Sequence, residues 1–543
     1  MGNRQYLLWP LAAWALFAGA SLWLTHGPIQ LDTDSAMRLV QVRDLLHGQS
    51  WFDTVQHRMN TPYGLPMHWS RLVDAPLALL MLVSETFALI AWPMLLYGAL
   101  LFLLARLAER LAGARAVVPV LLLTLLCTEL FAVFTPGNID HHGLQLVLML
   151  AALLSVVEQR PVLTAIVVGF SLAVGLETLP YAIVAILFAA LGEGARRFGF
   201  ALAGMALLLL AAAGSDRFLA VCDSYSLFYA ALLAGGGLGV AAISFLPRHR
   251  LAALGALALI LLALAAMLNP ACLAGPYAGM DARMRLIFLD RINEARPVWS
   301  FFRLAPAQVI GGYLYAAVAL AFCFAVPPGR ARLAVILFAA AALLTATLQY
   351  RATPFALVFA LAGLAAGLVQ ITRHRSIVWV AAMLLLGNGA VFTIAGEVAE
   401  GRQKAANRAI AFFEQEDCGH EMAMEAFKQL PSGRVAAFVD QGPGVLAYTR
   451  NSVIAGPYHR DAAGILDTYE IFTGKDPRAV LNRRGIDYLM TCRAAPDWEF
   501  YRAGGGLISQ LAAGRTPPWL TEVEGATGFD LPTGSAQVYR IKR

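Results

Sequence analysis

Residues 137–145, GNIDHHGLQ, set Asp140, His141 and His142 side by side between the apolar runs VVPVLLLTLLCTELFAVF and LQLVLMLAALLSVV. Carboxylate oxygens and imidazole nitrogens suit a divalent ion such as Mn²⁺ or Mg²⁺. Such an ion commonly neutralises a phosphate leaving group during group transfer. Asp140 and His142 lie two residues apart, so both reach one ion where the turn is extended, and His141 then points the other way. Asp32 and Asp34 form a D-x-D just past the first apolar run; alone this is a weak signal, because acids at span ends are commonly just solvated. His68 in PMHWSRL and Glu294 in LDRINEARP belong to similar polar segments. Arg351 ends an apolar run and offers a fixed fork of N–H donors that fits phosphate oxygens. Ionisable groups at that depth are functional candidates by default. Glu177 in GLETLP has two open readings, shaping the site or bonding to a neighbouring helix.

The elements that must position these groups are apolar. The chain has 543 residues, 59% hydrophobic and 14% charged, against about 25% charged in a soluble domain. It reads as an α-helical polytopic membrane protein. The first run, LLWPLAAWALFAGASLWL, has about the ~20 residues that cross a bilayer. It lacks a clear small-residue cleavage site, so it reads as a retained span. The short gaps between runs alternate in character. One set is basic: RLAERLAGAR (Arg106, Arg110, Arg115), EQR (Arg160), GEGARR (Arg196, Arg197), PRHR (Arg248, Arg250), PPGRAR (Arg330, Arg332) and TRHR (Arg373, Arg375). Short Lys/Arg-rich loops face the cytoplasm. The other set is longer and carries acids, histidines and aromatics: 26–75, the DHH seam, LETLP, 214–225, 269–306 and QYRATP. The count predicts about thirteen spans, the last near 377–397, and puts DHH at the outer, periplasmic mouth of a bacterial inner membrane. No Lys/Arg tract with interleaved aromatics occurs, which argues against nucleic acid as a partner.

Six cysteines include no C-x-x-C pair, which disfavours a structural zinc site. Cys127 and Cys323 sit within apolar runs and read as small core residues. Cys418 and Cys492 fall in the polar C-terminal part, where an exported location permits a disulfide. From about residue 400 the composition changes. GRQKAANRAIAFFEQED predicts an amphipathic helix, and RVAAFV, SVIAGP, YLMTC and AQVYRIKR predict strands between Gly/Pro turns. The chain thus divides into 1–398, transmembrane with outer loops 26–75 and 269–306, and 399–543, a mixed α/β domain exported by span parity.

Several of these motifs resemble the catalytic subunits of oligosaccharyltransferases, especially the archaeal ones. They are the D-x-D after the first span, PYGLPMHW (Pro62–Trp69), G-x-x-D-H-H (Gly137–His142), E-x-x-P (Glu294–Pro297) and an arginine near the twelfth span. The resemblance implies the membrane glycosyltransferase C (GT-C) fold with thirteen spans and an external C-terminal domain. It implies metal ligands Asp34, Asp140 and His142, with Asp34 and Glu294 catalytic. Asp34 is favoured over Asp32 because Arg43 and the Trp51–Asp53 WFD fit the family better when counted from it. His68 and Arg351 match positions close to the donor phosphate. The implied activity is metal-dependent transfer of a sugar or oligosaccharide from a polyprenyl-phosphate or polyprenyl-diphosphate carrier, its tail among membrane lipids, to a periplasmic acceptor. Two departures concern that acceptor. Arg291 stands where the family has Ser or Thr, and the WWDxG sequon reader is reduced to FVDQGPG (Phe438–Gly444), keeping Asp440 and Gly442. His459 and Arg460 in PYHRDAAGILD are further acceptor-side candidates, or ordinary residues of a folded domain. A protein asparagine glycosyltransferase is the nearest alternative, and a lipid-linked glycan flippase is the alternative of another class. A flippase predicts midplane charges and broken helices related by repeats, whereas these polar residues gather at one face.

Overall fold

The computed structural model describes residues 3–25, 27–373, 381, 387–401, 418, 424, 427, 430–493, 495, 497–523 and 536–542. Among them, six helices are long and apolar enough to cross a membrane, from Glu85–Ala112 to Tyr350–Ile371, and shorter apolar helices accompany them. Of the span expected at 377–397, residues 377–380 and 382–386 lie outside the described residues, while Gly389–Glu400 is helical; the amphipathic helix expected at 401–417 lies outside them from 402 on. The contacts divide the chain into two units: 1–28, 69–278 and 293–405 form the first, and 29–68, 279–292 and 406–543 the second.

Six helices of the first unit matter for the argument: α1 (His142–Val157), α2 (Pro161–Val174), α3 (Leu179–Leu191), α4 (Ala195–Ala212), α5 (Arg330–Leu348) and α6 (Thr353–Ile371). Helix α6 is apolar on every side and accordingly sits in the core, buried from Thr353 to Leu368 except for Pro354. Proline in the first turn starts α2, α3 and α6, where its missing N–H costs no hydrogen bond. The basic gaps meet at one end of these helices. Arg106, Arg110 and Arg160 all pair with Glu158, just past α1, at 2.9, 2.8 and 3.0 Å. Arg250 donates to the Gly192 carbonyl just past α3 at 2.8 Å. Cys222 and Cys272 form a disulfide that joins the segments 214–225 and 269–306, a pairing absent from the sequence expectations.

The second unit contains a five-stranded mixed sheet. Its strands are β3 (Arg434–Ala436), β4 (Ser452–Val453), β5 (Tyr488–Cys492), β6 (Leu520–Glu522) and β7 (Ala536–Ile541), in the order β4-β3-β5-β7-β6. β3 is parallel to β4 and β5; β7 is antiparallel to β5 and β6. Every residue of YLMTC in β5 is buried, as an unbroken apolar strand requires at the centre of a sheet covered on both faces. The four expected strands are all present. Cys418 and Cys492 are bonded, with Cα atoms 6.1 Å apart. Cys127 and Cys323 are buried free thiols.

The segment 29–68 folds with this sheet. Its hairpin, β1 (Val55–Gln56) and β2 (Leu65–Pro66), is stitched to the C-terminal residues by backbone bonds Thr61 N to Val453 O (3.0 Å) and Val453 N to Arg58 O (2.8 Å). The Arg58 guanidinium donates to the carbonyls of Leu446, Thr449 and Asn451. Fully buried Arg484 pairs with Asp467 at 2.7 Å and donates to Asn60 Oδ1 at 2.8 Å and Thr61 O at 3.0 Å.

Candidate active site

In the first unit the predicted residues gather where α1, α3 and α6 begin. Asp140 caps α1: its Oδ1 accepts the His142 backbone N–H at 2.8 Å, and its Oδ2 lies 2.7 Å from His142 Nδ1. Burial opposes the Asp140 charge, yet the His142 charge and hydrogen bond outweigh it and hold the carboxyl well below the usual range. His142 Nε2 lies 3.6 Å from Glu177 Oε2. Glu177 stands on the 3-10 turn Leu176–Thr178 just ahead of α3. His141 Nε2 is 3.8 Å from the same Glu177 oxygen, and the two imidazoles stack with centroids 4.3 Å apart. His141, His142 and Glu177 bring one ligand atom each within 4.8 Å of one another.

The other carboxylate oxygen of Glu177 meets Arg351 Nη1 at 3.5 Å, and Arg351 Nη2 reaches the Tyr277 hydroxyl at 3.3 Å. Glu294 lies close enough for its charge to act on both His142 and Arg351. Tyr350 ties these pieces together. Its N–H donates to Arg296 O, two residues beyond Glu294, at 3.0 Å. Its hydroxyl donates to Gln308 O at 2.7 Å and lies 3.2 Å from Glu129 Oε1. Gln145, one turn into α1, is fully buried with neither end of its amide hydrogen-bonded within the protein.

The remaining predicted residues meet one another in the second unit. Asp32 accepts the Ser35 N–H at 2.7 Å and so caps the helix Thr33–Leu46, while Asp34 occupies that helix's first turn. The His68 and His459 rings lie 4.5 Å apart. Arg460 donates to Pro66 O at 3.5 Å and the Tyr458 hydroxyl to Thr33 O at 3.5 Å. Burial first, then the charges of Asp34 and Asp32, with a smaller push from Asp440, hold the Tyr458 hydroxyl well up, against the opposing Arg38 charge. Asp440 lies on the short turn Val439–Gln441. The adjoining Gly442 cannot be replaced without movement, since a Cβ would stand 2.0 Å from Ala455 O.

No family model and no curated protein matches the sequence. Solved structures do match. The oligosaccharyltransferase of Archaeoglobus fulgidus in its apo form aligns with TM-score 0.63 at 13% identity, over 92% of this chain and 71% of that one. The same organism's enzyme in complex with an inhibitory peptide and a dolichol-phosphate aligns with TM-score 0.61 at 13% identity, over 92% and 71%. Its complex with Zn and sulfate aligns with TM-score 0.58 at 14% identity, over 91% and 69%. The chain has the GT-C fold.

Within this fold one sequence expectation needs correction. His141 does not point away from His142. The turn is helical at that residue (φ −86°, ψ −14°), not extended, so neighbouring side chains diverge by about 100° and both rings face Glu177. Glu177, left between two readings, touches both histidines and Arg351. Arg291, the departure from the family pattern, has its own anchorage. It stacks 3.6 Å over the Phe500 ring and bonds Asp497 at 3.3 Å, both within the second unit. Gln145 and Tyr350 had no distinguishing signal in the sequence, because their roles depend on contacts with residues far along the chain.

Proposed function

We propose that this chain is a glycosyltransferase that moves a sugar or oligosaccharide from a polyprenyl-phosphate or polyprenyl-diphosphate to an acceptor on the periplasmic side of a bacterial inner membrane. The observation that carries the reading is the convergence of His141, His142, Glu177, Arg351 and Glu294 at one end of apolar helices, on the fold of an enzyme solved with dolichol-phosphate. In the step, the bond from the anomeric carbon to the phosphate oxygen breaks and the electron pair leaves with the phosphate. A new bond forms from the anomeric carbon to the acceptor, whose proton passes to a carboxylate, the role proposed for Glu294 and Asp34. Arg351, fixed by Glu177 and Tyr277, holds phosphate oxygens through its forked donors. Asp440, His459 and Arg460 serve the acceptor side. Two disulfides in segments read as external support the periplasmic assignment, since such bonds persist in oxidising compartments.

The residues present fit a divalent ion. His141, His142 and Glu177 converge on one point, and Asp140 orients His142 as carboxylates orient metal-bound histidines. A bound ion would neutralise charge developing on the departing phosphate. Two imidazoles beside one carboxylate favour Mn²⁺ over Mg²⁺, which prefers oxygen ligands.

The test uses purified protein with a polyprenyl-linked donor and periplasmic extract. Sugar transfer should stop on EDTA treatment, return with Mn²⁺, and be lost in Glu177→Gln. Donor turnover unaffected by both EDTA and Glu177→Gln would overturn the reading. Sequon peptides should be poor acceptors, since WWDxG is missing and Arg291 is engaged by Asp497 and Phe500; efficient transfer to them would instead favour the asparagine glycosyltransferase. Lipid translocation without transfer would favour the flippase.

A further inference from the structure

Helices α1, α3 and α5 each reach from the histidine–Glu177–Arg351 group to a cavity of about 120 Å³ near their opposite ends. His142 opens α1 and Val156 lines the cavity, so about 20 Å of helix separates the two places. The rim of this half-open cavity carries three exposed guanidinium groups, Arg160, Arg197 and Arg330, against one exposed carboxylate, Glu193. Arg160 is paired with Glu158. Among the described residues neither Arg197 nor Arg330 has an acidic partner; Arg330 donates to the Phe188 carbonyl at 3.2 Å.

Three helices also begin at this cavity: α2, α4 and α5. The residues before them, Arg160, Gly194 and Gly329, provide no side-chain cap. No N-cap side chain takes their first-turn N–H groups, and the positive ends of the three helix dipoles lie at this cavity. α2 and α4 start side by side only because Gly194 has no side chain; a Cβ there would stand 2.4 Å from Pro161 Cγ. Beside the cavity the surface turns apolar. Val162 and Leu163 on α2 and Leu187 and Leu191 on α3 are each 40–50% exposed.

We propose that this cavity binds a phosphate group, supplied by the headgroup of an anionic phospholipid whose acyl chains lie on the exposed valine and leucines. Inorganic phosphate shares the headgroup chemistry, but it has no use for the apolar apron. Basic pockets between membrane helices are the recognised form of such headgroup sites. The inference is independent of the glycosyltransferase reading, since it concerns other residues at the other helix ends.

Native mass spectrometry of the full chain, released from nanodiscs of phosphatidylcholine containing phosphatidylglycerol, tests it. One phosphatidylglycerol should be retained in preference to phosphatidylcholine. Retention should fall about thirtyfold in the double variant R197A/R330A, roughly fivefold for each guanidinium lost. The charge-conserving R197K/R330K should keep most of it, which separates lost charge from lost fold, and equal melting temperatures check the fold directly. Equal retention of the two lipids, or undiminished phosphatidylglycerol retention in a folded R197A/R330A, would overturn the proposal. Inorganic phosphate is the second arm. Displacement of the lipid by millimolar phosphate supports a shared phosphate site; stabilisation by phosphate with no lipid retained at all would refute the lipid source.

Discussion

Replacing Asp140 with Asn should weaken metal affinity without unfolding the protein. The substitution keeps the shape of the side chain, and an amide oxygen can still accept the His142 backbone N–H at 2.8 Å. The difference falls on the second contact, at 2.7 Å from His142 Nδ1. A carboxylate oxygen there accepts a proton from Nδ1; an amide NH₂ offers one instead. The imidazole must then carry its proton on Nε2, the nitrogen turned toward Glu177, and that nitrogen loses the lone pair a metal needs. Losing such a carboxylate behind a metal-bound histidine costs about 10–100-fold in affinity, or roughly 1.4–2.7 kcal/mol. Purified protein stripped with EDTA and titrated with Mn²⁺ should show half-saturation shifted upward by that factor, by calorimetry and by sugar transfer. Excess Mn²⁺ should restore Asp140→Asn and should not restore Glu177→Gln, which removes a proposed ligand. An unshifted Mn²⁺ midpoint in Asp140→Asn would refute the tautomer argument.

Arg484→Met should destabilise the second unit by about 1–3 kcal/mol, because it leaves the buried Asn60 and Thr61 oxygens without the donor Arg484 supplies, while Asp467 keeps its pair with Arg483 at 2.6 Å. Limited proteolysis should then open the 29–68 segment first. The double variant C418A/C492A removes the constraint on a 74-residue separation and should cost about 2–4 kcal/mol, seen as a lower unfolding temperature that reductant does not lower further at that bond.

The legible parts of the sequence were those where residue type alone decides placement. Basic gaps alternate with acidic ones because arginine is costly to carry across a bilayer, and the structure gathers Arg106, Arg110 and Arg160 at one helix end. YLMTC and AQVYRIKR read as strands because their unbroken apolar or alternating patterns fit a sheet and not a helix face. What escaped depended on backbone conformation or distant pairing. His141 looked idle because an extended turn was assumed; a single helical φ/ψ pair turns it onto Glu177. The partner of Cys222 lies 50 residues away, across two apolar helices, with no local spacing to announce it. Likewise the grip of Arg484 on Asn60 joins residues 424 positions apart.

The lengths of α1, α2 and α3 carry a mechanical consequence. They have 16, 14 and 13 residues, so they rise only about 24, 21 and 20 Å, while a hydrocarbon core is about 30 Å thick. With their arginine-bearing ends at one interface, His142 and Glu177 stop several ångströms short of the other. Helices this short fit a bilayer that thins locally or a protein wall that dips beside them. For the polyprenyl carrier proposed above, such a depression would let the phosphate meet the protein without first rising clear of the acyl chains. On that proposed function, membrane thickness becomes a variable that would set how easily the carrier docks.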